Sequence, residues 1–290
     1  MAGLGTNIGN SFQIRARMGG TLVAAGQTLP IWYFTDQPMG MGMGEGFMGD
    51  RKLPSAHLEM IEGQTVNVAF FNQSFMNHTI HFHGMDVNQA NDGVGSTSLE
   101  VAPMASFNYT FVAPHAGTYH YHCHVDTVLH YAKGMYGSVI VRPPSGSTSE
   151  AWTGGPTFDE EVLWQLSTLD STWHNYLNSA PNGTARFKPD VFLLNGKESA
   201  AATTDVYTQV VMSAGQKAYI RLVNCAYQYA RVTIDGLDFD VVASDGRPMK
   251  SAYTTDLLEL GPGERYDILV QPTSPGVYAA HVDYLNEYTR

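Results

Sequence analysis

The stretch Gly117-Thr118-Tyr119-His120-Tyr121-His122-Cys123-His124 decides how this chain is to be read. Gly117–His122 has the composition of a strand, and on a strand alternate side chains share a face. His120, His122 and His124 therefore project together, while Cys123 projects the opposite way. His130 and Gly134-Met135 follow within a short distance. Upstream lies a second run, His78-Thr79-Ile80-His81-Phe82-His83-Gly84, in which His81 and His83 share a face. An apposed strand brings His78 beside Cys123.

That alternation predicts two metal pockets back to back. One holds the Cys123 thiolate with His78, His130 and Met135, the ligand set of a blue-copper electron-transfer site. The other gathers His81, His83, His122 and His124, an imidazole group suited to copper that meets a small molecule. Cys123 is bonded through the main chain to both flanking histidines, a covalent path for electrons between the pockets.

Working outward, short β-type runs recur between turn residues, with almost no helical periodicity. Predicted strands before residue 145 are Phe12–Arg17, Ile31–Phe34, Leu58–Ile61, Thr65–Asn72, Ser106–Val112, Gly117–His122 and Gly137–Val141. A stretch rich in Ser, Gly and Thr follows Pro143-Pro144 and reads as a linker. Predicted strands then resume at Glu161–Leu166, Val191–Leu194, Val206–Val211, Lys217–Val223, Ala230–Ile234, Asp238–Ala243, Thr255–Leu260, Tyr266–Val270 and Gly276–Asp283. The pattern predicts an all-β protein of two sandwich domains, 1–144 and 158–290, joined by a linker at 145–157. Glu62-Gly63-Gln64-Thr65-Val66 parallels Ala214-Gly215-Gln216-Lys217-Ala218, as expected of an internal duplication. The second half stops soon after its last clear strand, so truncation is expected there.

Composition narrows the function. With 43% hydrophobic residues, the 290-residue chain can build real cores, which excludes disorder and collagen-like repeats. A net charge of −11 argues against nucleic acid and anionic membranes as partners. No apolar run is long enough to span a bilayer. Two cysteines cannot build a disulfide framework. Of eleven histidines, nine precede residue 145. Among them His57 and His115 read as bystanders, as does His174 in the second half, and His120 reads as packing. Cys225 reads as a small buried hydrophobe and Asp159-Glu160-Glu161 as a solvated face. Met39, Met41, Met43 and Met48 sit on a Gly-rich loop, either a copper(I)-capturing segment or a surface loop with incidental methionines.

These motifs resemble those of the multicopper oxidases. His81-Phe82-His83-Gly84 is similar to their His-x-His-Gly motif, and His122-Cys123-His124 with His130 and Met135 to their His-Cys-His…His…Met motif. Asp92-Gly93-Val94 and Pro262-Gly263-Glu264-Arg265-Tyr266-Asp267 resemble further signatures of the family. The resemblance implies two cupredoxin-like Greek-key domains. It implies type 1 copper at His78, Cys123, His130 and Met135. His81, His83, His122 and His124 would serve a type 2/type 3 cluster that reduces dioxygen, with Asp92 helping to move protons. A laccase-like oxidation of a small-molecule or metal-ion reductant follows. So do a periplasmic or extracellular location and the trimer of two-domain laccases with type 1 copper in the first domain. The family's cluster draws histidines from two domains, whereas here the second half carries only His174 and His281, of which His281 is the candidate ligand. Two other readings stand beside this one. A copper nitrite reductase would use His83 and His122 with a neighbouring subunit's histidine, although His81 stands where that family keeps an Asp. An electron-transfer or copper-handling protein would keep the type 1 site with a vestigial cluster.

Overall fold

The structure, a computed structural model, describes Leu4 and residues 8–37, 52–175 and 187–286. The methionine loop, Met39 to Met48, lies outside the described residues.

In the first half the strands are β1 (Ser11–Ala24), β2 (Gln27–Thr35), β3 (Leu58–Ile61), β4 (Thr65–Asn72), β5 (His81–His83), β6 (Ser106–Val112), β7 (Gly117–His122) and β8 (Tyr136–Arg142). They form two four-stranded sheets, ordered β2-β1-β4-β6 and β3-β8-β7-β5. Strand β4 illustrates why they face each other. Val66, Val68 and Phe70 are buried while Thr65, Asn67 and Ala69 face out, the period of a half-buried strand. Tyr119, Tyr121 and Cys123 join Val66, Val68 and Phe70 in one core.

The second half contains β9 (Glu160–Leu169), β10 (Val191–Leu194), β11 (Ala218–Cys225), β12 (Ala230–Ile234), β13 (Phe239–Ser244), β14 (Arg247–Thr255), β15 (Leu257–Leu260), β16 (Arg265–Val270) and β17 (Ala280–Tyr284). Its sheets are ordered β10-β9-β11-β16-β13-β14 and β15-β12-β17. Strand Arg247–Thr255 escaped the sequence pattern because most of its side chains are exposed on both faces. The run predicted as a strand at Val206–Val211 is instead a turn and an extended segment. There Asp205 accepts from the Tyr207 N–H, and the Thr208 hydroxyl donates to the Asp205 carbonyl. This local Asp/Thr chemistry competes successfully with sheet pairing. Among the described residues, no helix is long and apolar enough to cross a membrane.

The halves share buried contacts of two kinds. Leu29, Ile31 and Tyr136 of the first half join Leu163, Val223 and Cys225 of the second in one apolar cluster. Cys225 is thus buried, as expected, and also accepts from Gln165 Nε2 at 3.2 Å. The second kind is a chain of buried charges. His57 Nε2 lies 3.2 Å from Glu59, and Arg142 Nε donates to Glu59 at 2.7 Å. Arg142 Nη1 reaches across to Glu161 at 2.9 Å, and Arg221 Nε donates to Glu161 at 2.6 Å. Arg221 Nη1 then lies 3.6 Å from Asp267, whose carboxylate accepts from Thr118 and Tyr219. Glu161 is therefore no solvated residue: two guanidiniums from opposite halves hold it inside the protein.

Burial alone would raise the Glu59 carboxyl, but His57 and Arg142 outweigh it and hold the group down at about 2. A carboxylate depressed on folding adds stability above its unfolded pKa and loses it as pH falls through the folded value. Wild-type unfolding free energy should therefore drop between about pH 5 and pH 2, and Glu59→Gln should flatten that segment of the profile. An unchanged profile would refute the pairing. Arg142→Met takes a guanidinium from two buried carboxylates and should cost about 3–5 kcal/mol in urea unfolding, so a loss under about 1 kcal/mol would contradict the buried network.

Candidate metal centre

Strand β7 supplies both sides of the site. Its register against β5 pairs His81 with His122, Phe82 with Tyr121, and His83 with His120. Tyr119, Tyr121 and Cys123 point into the first core, while Thr118 points to the second half, where it meets Asp267 and Arg221. His122 lies on that same face by alternation.

On the core side, Cys123 Sγ lies 3.1 Å from His130 Nδ1 and 3.4 Å from His78 Nδ1. The two ring nitrogens are 3.2 Å apart. His78 is placed by an antiparallel bridge to Val101. His130 is placed by helix α1 (Thr127–Ala132), which begins after Asp126 in a left-handed conformation, φ +40°. Backbone bonds then close the loop: Met135 N–H donates to the His130 carbonyl, and Cys123 N–H to the Met135 carbonyl. Cys123, His78, His130 and Met135 are all fully buried. Trp32 stands edge-on to His130 with ring centroids 5.2 Å apart.

On the other side, donor atoms of His81, His83 and His122 lie within 4.8 Å of one another. His83 Nδ1 faces His122 Nε2 at 3.4 Å. His122 Nδ1 is bonded to the Cys123 carbonyl at 2.9 Å and His81 Nδ1 to the Asp92 carbonyl at 2.6 Å. Each bond makes Nδ1 the protonated nitrogen and leaves Nε2 with the free lone pair. His124 stands beside this triad, its ring 5.3 Å from His81 and 5.7 Å from His122, with Thr127 against its Nδ1. Asp92 lies with its carboxylate 3.3 Å from His81 Nδ1 and its side chain 31% exposed.

The donors suit copper. Burial lowers His78 and His122 to about 3, and His83 and His130 to about 4, so all four are neutral, lone-pair-bearing imidazoles at neutral pH. Burial raises the Cys123 thiol to about 12, and a metal ion would displace its proton. The three donor atoms lie 3.1–3.4 Å from one another, close enough for one ion to be reached by all three. Soft sulfur with two imidazoles favours copper.

The remaining histidines fall elsewhere. His57 belongs to the charge chain and His115 bonds a neighbouring carbonyl. His174, on α2 (Ser171–Asn175), is buried with Nδ1 near the Asp170 carbonyl. His281, on β17, is half exposed and pairs with Asp235 at 3.2 Å, outside both donor groups. His120 is buried and stacks on His83 with centroids 4.3 Å apart. Arg265 stands in the sequence only within the Pro262–Asp267 signature, yet its guanidinium crosses to the first half. There it donates to the Thr118 carbonyl, and a Cβ at Gly84 would collide with its Nη2.

A pair of β-sandwiches that brings a buried Cys-His-His group back to back with a histidine triad is the architecture of a copper protein of the cupredoxin class. Residues 32–146 and 165–289 each match the multicopper oxidase family, and the chain belongs to that family. It is 30% identical to a laccase of Arthroderma benhamiae over 219 residues, 73% of this chain and 33% of that protein. It is 31% identical to laccase-15 of Oryza sativa subsp. japonica over 243 residues, 77% of this chain and 38% of the relative. The chain thus spans a third to two fifths of the length of these relatives. The blue copper oxidase of Nitrosomonas europaea superposes with TM-score 0.76 and 25% identity, covering 94% of this chain and 78% of that one. The multicopper oxidase mgLAC gives 0.73 and 27%, covering 93% and 78%.

Gly93 ties Asp92 to the triad. Its φ is +72°, and a Cβ there would overlap the Ile80 carbonyl. Gly93→Ala should push the Asp92 loop off His81 and destabilise the protein by about 1–3 kcal/mol, with weaker copper binding at the triad. A fully stable variant with unchanged copper affinity would show that the close approach is not needed.

Proposed function

We propose that the chain acts as a laccase-like multicopper oxidase. One observation carries the reading: Cys123 and His122 are covalent neighbours, yet their side chains belong to different donor groups. His78, Cys123, His130 and Met135 would hold type 1 copper. His81, His83, His122 and His124 would hold the type 2/type 3 copper. Copper at the two groups supplies one-electron oxidation of a reductant and reduction of dioxygen to water. The chain's own part is to orient and to exclude water. Backbone carbonyls fix the His81 and His122 tautomers, and burial keeps water from Cys123. The Cys123 main chain and its flanking histidines connect the pockets, and the Asp92 carboxylate, 3.3 Å from His81 Nδ1, would help to move protons there.

The reductant class is a small molecule or metal ion, in keeping with the acidic balance of the chain. We assign two units, 1–144 and 158–290, joined at 145–157. The copy number is a homotrimer in which another chain's residues complete the cluster, and the location is periplasmic or extracellular. His281, half exposed beside Asp235, is the second half's candidate for such an intermolecular ligand.

A second reading has its own support. Among the described residues, neither donor group includes a histidine of the second half, as expected of an electron-transfer protein with a vestigial cluster. Copper stoichiometry with oxygen uptake on the purified protein separates the two. Several coppers per chain with reductant-dependent oxygen uptake supports the oxidase, whereas one copper, blue colour and no uptake supports the electron carrier. Cys123→Ser should abolish the blue absorption while leaving copper at the triad. Persistence of the colour would sink the type 1 assignment.

A further inference from the structure

We propose that Arg265, from the second half, is a positioning residue that sets the His83 imidazole of the first. The inference rests on the reading that the His81, His83 and His122 group holds copper.

The geometry begins at the turn Gly261–Glu264, which leads into β16. Gly263 N–H donates to the Asn224 carbonyl, and Asn224 N–H to the Glu264 carbonyl, so the turn is pinned to the end of β11. Gly263 has φ +82°, and a Cβ there would stand 3.4 Å from His83 Cε1 and 3.6 Å from Nε2. The backbone of the turn is therefore the wall behind the His83 ring. Arg265 fastens that wall. Nη1 donates to the Gly263 carbonyl at 2.9 Å and lies 2.8 Å from Asp245, while Nε donates to the Thr118 carbonyl of β7 at 3.4 Å. Its side chain is only 3% exposed, and Nη2, without a hydrogen-bond partner in the protein, lies against Gly84. One guanidinium thus touches the residue after His83, the turn behind its ring, and the strand carrying His120 and His122.

His83 needs such an external support. Both of its triad companions have Nδ1 fixed by a backbone carbonyl, whereas His83 Nδ1 itself faces the metal group. The stacked His120 covers one ring face, but stacking leaves the ring free to slide in plane. The Gly263 wall removes that freedom, and a lysine, with a point charge in place of the planar fork, cannot make the same contacts.

The test combines a metal-free readout with a metal-binding one. In the wild-type protein without copper, an NOE should join a Gly263 Hα to His83 Hε1. Its absence would overturn the proposal. Arg265→Lys should weaken that NOE and shift the His83 imidazole resonances. It should also lower copper affinity at the triad by roughly 10–100-fold, with the blue absorption of the Cys123 group unchanged. Unchanged His83 resonances together with unchanged triad affinity would refute the role. Should Arg265→Lys fail to fold, Gly84→Ala displaces Nη2 from the other side and must perturb the same His83 signals. If the wild-type triad binds no copper, the oxidase reading fails, but the NOE still decides the placement of His83.

Discussion

The structure depends on the side-chain alternation of a single strand, β7. An extended backbone sends neighbours to opposite faces, and here each face meets a different apolar or polar world. Tyr119, Tyr121 and Cys123 enter the core of the first sandwich, and Thr118, on the face that His120 and His122 share by alternation, meets the second half. A shift of one residue in the pairing with β5 or β8 would put imidazoles in the hydrophobic core and tyrosines against the charge chain. The two donor groups are thus consequences of register. Phe82 opposite Tyr121, both buried, holds that register from the apolar side.

The interface explains why such a polar face can be buried at all. Thr118 gives its hydroxyl to Asp267 and receives Arg221, and its carbonyl receives Arg265. Each charged group in the chain from Glu59 to Asp267 is paired with a group from a distant part of the sequence. Removing one member leaves its partner charged and dry, which costs far more than the pair contributes. Such a network specifies how the halves fit more than how stably they fold, and a precise fit is what the histidine triad requires.

The fold and most of the site were legible because both rest on periodicity. Period-two patterning located Leu58–Ile61, Thr65–Asn72, Ser106–Val112 and Gly117–His122 with the bounds the structure gives them. The same alternation separated Cys123 from His122. What stayed hidden depends on partners far away in the chain. Glu161 reads as solvated in its acidic local sequence and is buried because Arg142 and Arg221 reach it. Arg265 carries no local signal of its destination, since Gly84 lies 181 positions earlier. Val206–Val211 failed for the opposite reason, with Asp205 and Thr208 satisfying the backbone locally.

Among the described residues, the second half therefore contributes to the triad of its own chain without adding an imidazole to it. Its turn at Gly261–Glu264 walls His83, Arg265 crosses to Thr118, and its sheet buries the outer face of β7. A metal group needs ligands, but it also needs them held against thermal motion, with their second nitrogens bonded and water excluded. These tasks can fall to whatever part of the chain surrounds the donors. Here the first half carries the donors and the second carries part of the rigidity. That division gives the histidine-poor half a physical reason to keep its Pro262-Gly263-Glu264-Arg265 turn: without it, His83 would have one stacked neighbour and no wall.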